Sequence, residues 1–188
     1  MNERIFYTVM ESPLGALTLV ADGAVLTGVH FEDEAGLAER RSAWTRGDQA
    51  LAAARRQLEE YFAKKRTSFD LPLASRGTEF QRRVWDALCA IPYGATVSYS
   101  HIARRIGAPS ACRAVGAANG RNPLPIVVPC HRVIGADGSL TGYAGGEERK
   151  RRLLDLERGE ALPPYAGAAP KGDRRGGVTY DARPLPLT

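Results

Sequence analysis

Short runs of apolar and β-branched residues open the chain, and helical spacing takes over further along. Residues 5–10, 16–20 and 25–31 are such runs, divided by Ser12-Pro13-Leu14-Gly15 and Ala21-Asp22-Gly23. This pattern predicts three antiparallel strands joined by tight turns. Leu51, Ala54, Leu58 and Phe62 then recur every three or four residues, which predicts a helix over 49–64, capped by Asp48, with one apolar face laid on that sheet. Nothing in residues 1–70 gathers reactive side chains, and His30, alone at the end of a strand, reads as structural. Residues 1–76 are therefore expected to form an α/β scaffold domain.

A second domain, 77–158, is expected to be mainly helical. Thr78 followed by Gln81 has the spacing of a capping box, and Phe80, Val84, Trp85 and Leu88 give the next helix a buried stripe that stops before Pro92. Trp85 and Cys89 are expected in its core. After the Pro92-Tyr93-Gly94 turn, residues 98–106 form a short helix closed by Gly107, and Pro109 opens a second over 110–119, closed by Gly120. Two short helices joined by a glycine turn have the outline of a helix-turn-helix. The second carries Ala111, Ala114, Gly116, Ala117 and Ala118, small enough for close approach to a groove, with Arg113 its one long cation. Many helical hairpins bind nothing, so the outline leaves a purely structural role open.

Charge changes that balance. The net charge is +5, yet residues 87–136 contain no Asp or Glu while Arg104, Arg105, Arg113, Arg121 and Arg132 all fall there. A stretch of one sign within a balanced chain is the footprint of a polyanion partner, the alternative being a solvated basic face. At 188 residues and 44% hydrophobic the chain can bury one ordinary core or two small ones. Pro123, Pro125 and Pro129 break its longest apolar segments well short of the ~20 residues of a membrane span. Residues 1–9 lack a signal-peptide core, so the cytoplasm and no membrane are expected. The odd number of cysteines, Cys89, Cys112 and Cys130, suggests neither a disulfide framework nor a four-ligand zinc site.

The candidate chemistry lies in Ile126-Val127-Val128-Pro129-Cys130-His131-Arg132-Val133, where an apolar run delivers a cysteine to a proline turn with a histidine directly after it. Thiolate is the reactive form of cysteine, and cationic or hydrogen-bonding neighbours lower its pKa from ~8.5. A cysteine hydrolase would use the same pair, but its base usually comes from a distant position, and it would leave the helix-turn-helix unexplained. A DNA-binding regulator would explain the helices and leave Cys130 and His131 idle.

Arg113-Ala-Val-Gly-Ala-Ala-Asn-Gly-Arg-Asn122-Pro, then Pro-Ile-Val-Val-Pro-Cys130-His-Arg-Val, then Gly142-Tyr-Ala-Gly-Gly146 together resemble the O6-alkylguanine-DNA alkyltransferase family, the methylated-DNA–protein-cysteine methyltransferases. The likeness is close over 78–157 and looser toward the N-terminus, where Ser12-Pro13-Leu14-Gly15 carries it. It implies a ribonuclease-H-like, three-layer α/β domain with an antiparallel sheet and helix, followed by a winged-helix-like domain holding the helix-turn-helix and the active site. The implied activity is direct-reversal DNA repair, a single-turnover transfer of the alkyl group of a flipped O6-alkylguanine in duplex DNA to the protein's own cysteine.

By that resemblance Cys130 is the methyl acceptor, His131 removes the thiol proton through a water, and Glu157, on a helix over 149–158, orients His131. Without the resemblance Glu157 reads as an exposed helix carboxylate. Tyr99 is implied as the donor to guanine N3, the Ala144 N–H as the donor to O6, Tyr143 as a pocket wall, and the carbonyls of Cys130 and Val133 as readers of the exocyclic amine. Asn122 ties the helix-turn-helix to the active-site turn, and Arg113 is the finger that enters the base stack. Ser100, Ala114, Gly116 and Asn119 are implied on the DNA-binding surface. The chain departs from relatives at Ala144, where some have serine, and at Asn119, where others have a larger apolar residue. No cofactor or metal is implied: with no cysteine before Cys89, the zinc features of some relatives are unsupported. The implied partner is duplex DNA bearing O6-alkylguanine, met by a monomer, with cooperativity and action on O4-alkylthymine left open. Beyond Arg158 a Pro/Gly-rich tail, 159–188, offers Lys171, Arg174 and Arg175 for phosphate attraction, or Leu162, Tyr165, Val178 and Tyr180 for packing on the body.

Overall fold

Alternation of side chains on successive apolar runs builds the N-terminal sheet in the computed structural model, which describes residues 4–165 and Tyr180. Strands β1 (Ile5–Met10), β2 (Leu17–Asp22) and β3 (Val25–Phe31) pair antiparallel in sequence order. A two-residue strand, β4 (Thr45–Arg46), adds to the free edge of β1 in parallel, giving the order β3-β2-β1-β4. Neither β4 nor the short helix α1 (Leu37–Ser42) is visible in the sequence pattern, because each is shorter than the window that periodicity needs.

Helix α2 (Ala52–Phe62) corrects the expected start at residue 49. Asp48 is not its cap; its carboxylate accepts a hydrogen bond from Thr8 Oγ1 at 2.6 Å, so a sheet contact takes the oxygen that would have capped the helix. The buried face runs through Ala54, Gln57, Leu58 and Tyr61, with Phe62 displaced to a half-buried position. Gln57 is tolerated inside because its amide exchanges two bonds with the Asp70 backbone, at 2.8 and 2.9 Å. His30 bonds Glu34 at 2.9 Å and stacks on Trp44, a structural use.

The first unit spans Met1–Arg76 with Pro163–Tyr165, and the second includes Gly77–Leu162. In the second, α3 (Glu79–Cys89) starts from a closed capping box: the Gln81 amide bonds Thr78 Oγ1 at 3.2 Å, and the Thr78 amide bonds the Gln81 side chain at 2.8 Å. Its buried face is Val84, Trp85, Ala87 and Leu88. Cys89 was expected in that core and is exposed, because the buried path leaves the helix at Leu88 and resumes at Ile91. Helices α4 (Tyr99–Arg105) and α5 (Cys112–Gly120) follow, α4 capped by the Ser98 hydroxyl. Helix α5 starts two residues after the expected 110, its N-terminal residue Ala111 offering no capping side chain. The Trp85 indole donates to the Ala118 carbonyl at 2.9 Å and staples α5 to α3.

Strand β5 (Val97–Ser98) pairs in parallel with β6 (Val133–Ile134), and α6 (Glu147–Glu157) closes the unit. Of the two roles open to the tail, the described part shows packing at Tyr180. Its ring is buried with Ile134, Leu140 and Leu154, and its hydroxyl donates to Asp155 at 2.8 Å. Leu162 and Tyr165 are half-buried, and Lys171, Arg174, Arg175 and Val178 lie outside the described residues. No helix among the described residues is long and apolar enough to cross a membrane.

Candidate active site

The parallel β5–β6 ladder decides which distant residues meet. Val97 pairs with Val133 and Ser98 with Ile134, so Tyr99, the first residue of α4, stands beside the 3-10 turn Cys130–Arg132 that enters β6. The chain reaches that turn from α5 through a braced connection. Asn122 Nδ2 donates to the Val128 carbonyl at 2.8 Å, and Asn122 Oδ1 accepts from the Leu124 amide at 3.0 Å. The same side chain hydrogen-bonds the Cys130 sulfur. Between them Ile126 is fully buried at φ 75°, a left-handed conformation that a β-branched residue adopts only where its surroundings hold it.

Cys130 is 2% exposed. Burial pushes its thiol up to about 11, against the opposing pull of the Asn122 hydrogen bond and the Lys150 charge. The resting group is therefore a thiol, and a base must take its proton when it reacts. His131, fully buried, meets that need: burial lowers its pKa below 6.5, outweighing the neighbouring Glu157 carboxylate. Its Nε2 lies 2.9 Å from Glu157 Oε1, and its Nδ1 has no partner among the described residues. A neutral imidazole donating Nε2–H to a carboxylate carries its lone pair on Nδ1, the nitrogen left free here.

Glu157, the last residue of α6, is not the exposed helix carboxylate that its sequence position suggests. Arg132 grips it with Nε at 2.9 Å and Nη2 at 2.8 Å, and the Gly94 amide donates to it at 2.9 Å. Burial alone would raise its pKa, but His131 and Arg132 hold the carboxyl well below the usual range. Arg132 also donates to the Ile91 carbonyl at 2.6 Å. This removes Arg132 from the basic surface to which its sequence position assigned it: the guanidinium is buried and neutralised inside the domain. Arg104, Arg105, Arg113 and Arg121 remain exposed from the acid-free window.

Opposite the thiol, donors fix the loop 141–145. The Tyr99 hydroxyl donates to the Thr141 carbonyl at 2.6 Å, and burial pushes that phenol up to about 12. Gly142, at φ 75°, passes so close to the Tyr99 hydroxyl that a Cβ there would collide with it. Tyr143 is buried and its phenol held neutral by burial, while Ala144 is exposed. Lys150 Nζ donates to the Val133 carbonyl at 2.6 Å and the Thr141 carbonyl at 2.8 Å, joining β6 to the loop. Burial brings this ammonium down to about 8. The sequence reading assigned Lys150 no role. The signal was present, since Lys150, Leu153, Leu154 and Glu157 follow the i, i+3, i+4, i+7 stripe of one buried helix face.

Helix α5 has two faces. Arg113, Ala114 and Ala117 are exposed, Val115, Ala118 and Asn119 are buried, and Gly116 is half-buried with the Tyr99 ring as its nearest neighbour. Asn119 thus departs from the expected place on a DNA-facing surface: it points inward, where Nδ2 reaches the carbonyls of Cys130 and Gly142, both at 3.2 Å. Ser100 is half-buried, its hydroxyl 2.9 Å from that of Ser98. The arrangement holds a buried thiol, a neutral imidazole with an unengaged nitrogen and a phenol in one unit with a helix whose exposed face is of small residues and one long cation. Such a thiol can take an alkyl group from an electrophilic carbon of a substrate, the leaving group departing with the bonding electron pair.

The family model described as 6-O-methylguanine DNA methyltransferase, ribonuclease-like domain matches residues 5–75, and that of the DNA binding domain matches residues 79–159. The chain is 56% identical over 154 residues to the methylated-DNA–protein-cysteine methyltransferase of Mycolicibacterium paratuberculosis, covering 82% of this chain and 93% of the relative. Among solved structures it resembles the O6-methylguanine methyltransferase of Mycobacterium tuberculosis with a TM-score of 0.78 at 53% identity, covering 84% of this chain and 94% of that one. A structure of Mycobacterium tuberculosis OGT in complex with DNA superposes with a TM-score of 0.77 at 53% identity, covering 82% of this chain and 93% of that one.

Proposed function

The chain belongs to the 6-O-methylguanine DNA methyltransferase family, and from that premise we propose which of its residues carry the repair and on which lesion. Its N-terminal domain has the ribonuclease-like fold, its C-terminal domain is the helical DNA-binding one, and its activity is direct-reversal repair by alkyl transfer from DNA to a cysteine. The proposed acceptor is Cys130 and the proposed lesion O6-alkylguanine in duplex DNA. The observation that carries this is the buried thiol whose neighbour, His131, is neutral and keeps Nδ1 unengaged.

The exposed face of α5 enters the groove with Ala114 against the backbone, Ser100 and Gly116 nearby, and Arg113 filling the space of the extruded base, which offsets part of a flipping cost of a few kcal/mol. His131 Nδ1 takes the thiol proton through a water while Glu157 holds the ring by Nε2–H. Sulfur attacks the alkyl carbon in line: the S–C bond forms, the C–O6 bond breaks, and the electron pair passes to the purine. That developing charge is met at N3 by the Tyr99 phenol, released from the Thr141 carbonyl, and at O6 by the Ala144 N–H. Tyr143 walls the pocket, the Cys130 and Val133 carbonyls read the exocyclic amine, and Asn122 keeps the turn in register with α5. The thioether is stable, so each molecule acts once, and the site is complete within one chain, as a monomer requires. The cytoplasm, where DNA and reduced thiols coexist, is the compartment this chemistry fits.

The test is to mix the protein with duplex DNA bearing O6-methylguanine and weigh it. One added methyl on the Cys130 peptide, DNA restored, and no transfer to Cys130→Ser despite retained DNA binding are expected. Multiple turnovers, an unchanged mass or a methyl-accepting Cys130→Ser protein would overturn the assignment.

A further inference from the structure

Asn119 sits on the inner face of α5, one helical turn beyond Val115 and next to Ala118, in a stripe that is otherwise apolar. It is 1% exposed. Its Nδ2 bridges two segments, donating to the Cys130 carbonyl on the 3-10 turn and to the Gly142 carbonyl on the loop 141–145, each at 3.2 Å. Those contacts also fix the orientation of the amide, since the flipped form would press Oδ1 against two carbonyl oxygens. Oδ1 is left as a buried acceptor with no partner among the described residues. An unpaired buried acceptor is costly, and this one belongs to the amide whose nitrogen holds the Cys130 carbonyl.

We infer that Asn119 is a specificity-determining residue whose Oδ1 accepts a hydrogen bond from the 2-amino group of the flipped purine. The inference rests on the reading of Cys130 as the acceptor of an O6-alkyl group, and deepens it. An O6-alkylguanine in DNA has its N1 unprotonated and its N9 bonded to the sugar, so the exocyclic amine is its only N–H donor. The Cys130 and Val133 carbonyls each hold one donor, Asn119 Nδ2 and Lys150 Nζ, and keep a second lone pair for the amine. Asn119 Oδ1 is the buried acceptor beside them that no group among the described residues engages, and it adds to their hold on the amine. It therefore favours a 2-aminopurine over any base lacking a donor, O4-alkylthymine included, whose ring offers no N–H at all.

The experiment compares transfer rates from duplexes carrying O6-methylguanine or O6-methylhypoxanthine, which differ only in the 2-amino group, for the wild-type chain and for Asn119→Leu. The wild type is expected to prefer the amine, and Asn119→Leu to lose about tenfold to a hundredfold of that preference. A preference equal in the two proteins overturns the inference, and a uniform loss of rate from the broken brace leaves the ratio untouched. If Cys130 accepts no alkyl group from either duplex, the functional reading itself fails. Should Asn119→Leu not fold, Cys130→Ser protein labelled at asparagine side chains is titrated with free O6-benzylguanine and with O6-benzylhypoxanthine. The Asn119 carbonyl resonance is expected to move with the first only, and an equal response to both overturns the inference.

Discussion

Replacing Glu157 by Gln perturbs the charge arrangement behind Cys130 while changing almost no volume. The Gly94 amide, His131 Nε2, and Nε and Nη2 of Arg132 all converge on its two oxygens, within 2.8 to 3.2 Å. A glutamine has one acceptor for that set and presents N–H groups to the rest. The Arg132 guanidinium, itself buried, then loses its counter-charge. Removing one member of a buried ion pair costs about 3–5 kcal/mol. In a domain of this size that corresponds to a fall in melting temperature on the order of 10 °C or more. Catalysis suffers separately. With an amide N–H facing Nε2, His131 moves its proton to Nδ1 and loses the lone pair that faces the thiol, for a loss of roughly 10²- to 10⁴-fold in transfer rate. Thermal melts and single-turnover transfer from an O6-methylguanine duplex measure the two effects. The double replacement Arg132→Met with Glu157→Leu separates them, because an apolar pair removes the stranded charge without restoring a partner for His131. It should recover much of the stability and none of the rate. A folded Glu157→Gln protein that transfers within a factor of about three of wild type, or a double variant that regains both properties, would refute the reasoning.

Further outcomes follow from the same geometry. Burial depresses the His131 pKa below 6.5, so its base form survives as pH falls through 6.5 and is lost only lower. Transfer from free O6-benzylguanine should hold level from about pH 8 to about pH 6.5 and then drop, and a half-loss at or above pH 6.5 would count against a neutral buried base. The same depression makes His131 cost stability progressively as pH falls from 6.5 toward its folded pKa, because the unfolded chain binds the proton first. Arg113→Ala should slow transfer from duplex far more than transfer from free O6-benzylguanine, because only the duplex requires extrusion; equal slowing on both would make Arg113 structural. Tyr180→Ala should destabilise the C-terminal domain by about 3 kcal/mol and Tyr180→Phe, which loses only the bond to Asp155, by about 1 kcal/mol. Melts unchanged in both would mean that Tyr180 is not seated on α6.

Periodicity made the longer elements legible. Capping at Thr78 and Gln81, the three leading strands and the pair of short helices all express local preferences that repeat over enough residues to be read. It failed where an element was too short, as in β4, or where a distant partner claimed a local signal, as when Thr8 took the Asp48 carboxylate from its expected cap. Charge was read least well. Arg132 and Lys150 look like surface cations in a list of residues, and both are buried because Glu157 in one case and two carbonyls in the other satisfy them.

Legible in the sequence alone were the candidate nucleophile and its neighbour, since Cys130 and His131 are adjacent, the helix pair that carries Arg113, and the resemblance that joined them to alkyl transfer. Adjacency in the chain does not say which imidazole nitrogen is free, whether the thiol is ionised at rest or which way Asn119 points. Those properties depend on desolvation and on partners up to 63 residues apart, as between Gly94 and Glu157. Only the tertiary structure brings such groups to within hydrogen-bond distance and excludes the water that would otherwise screen them.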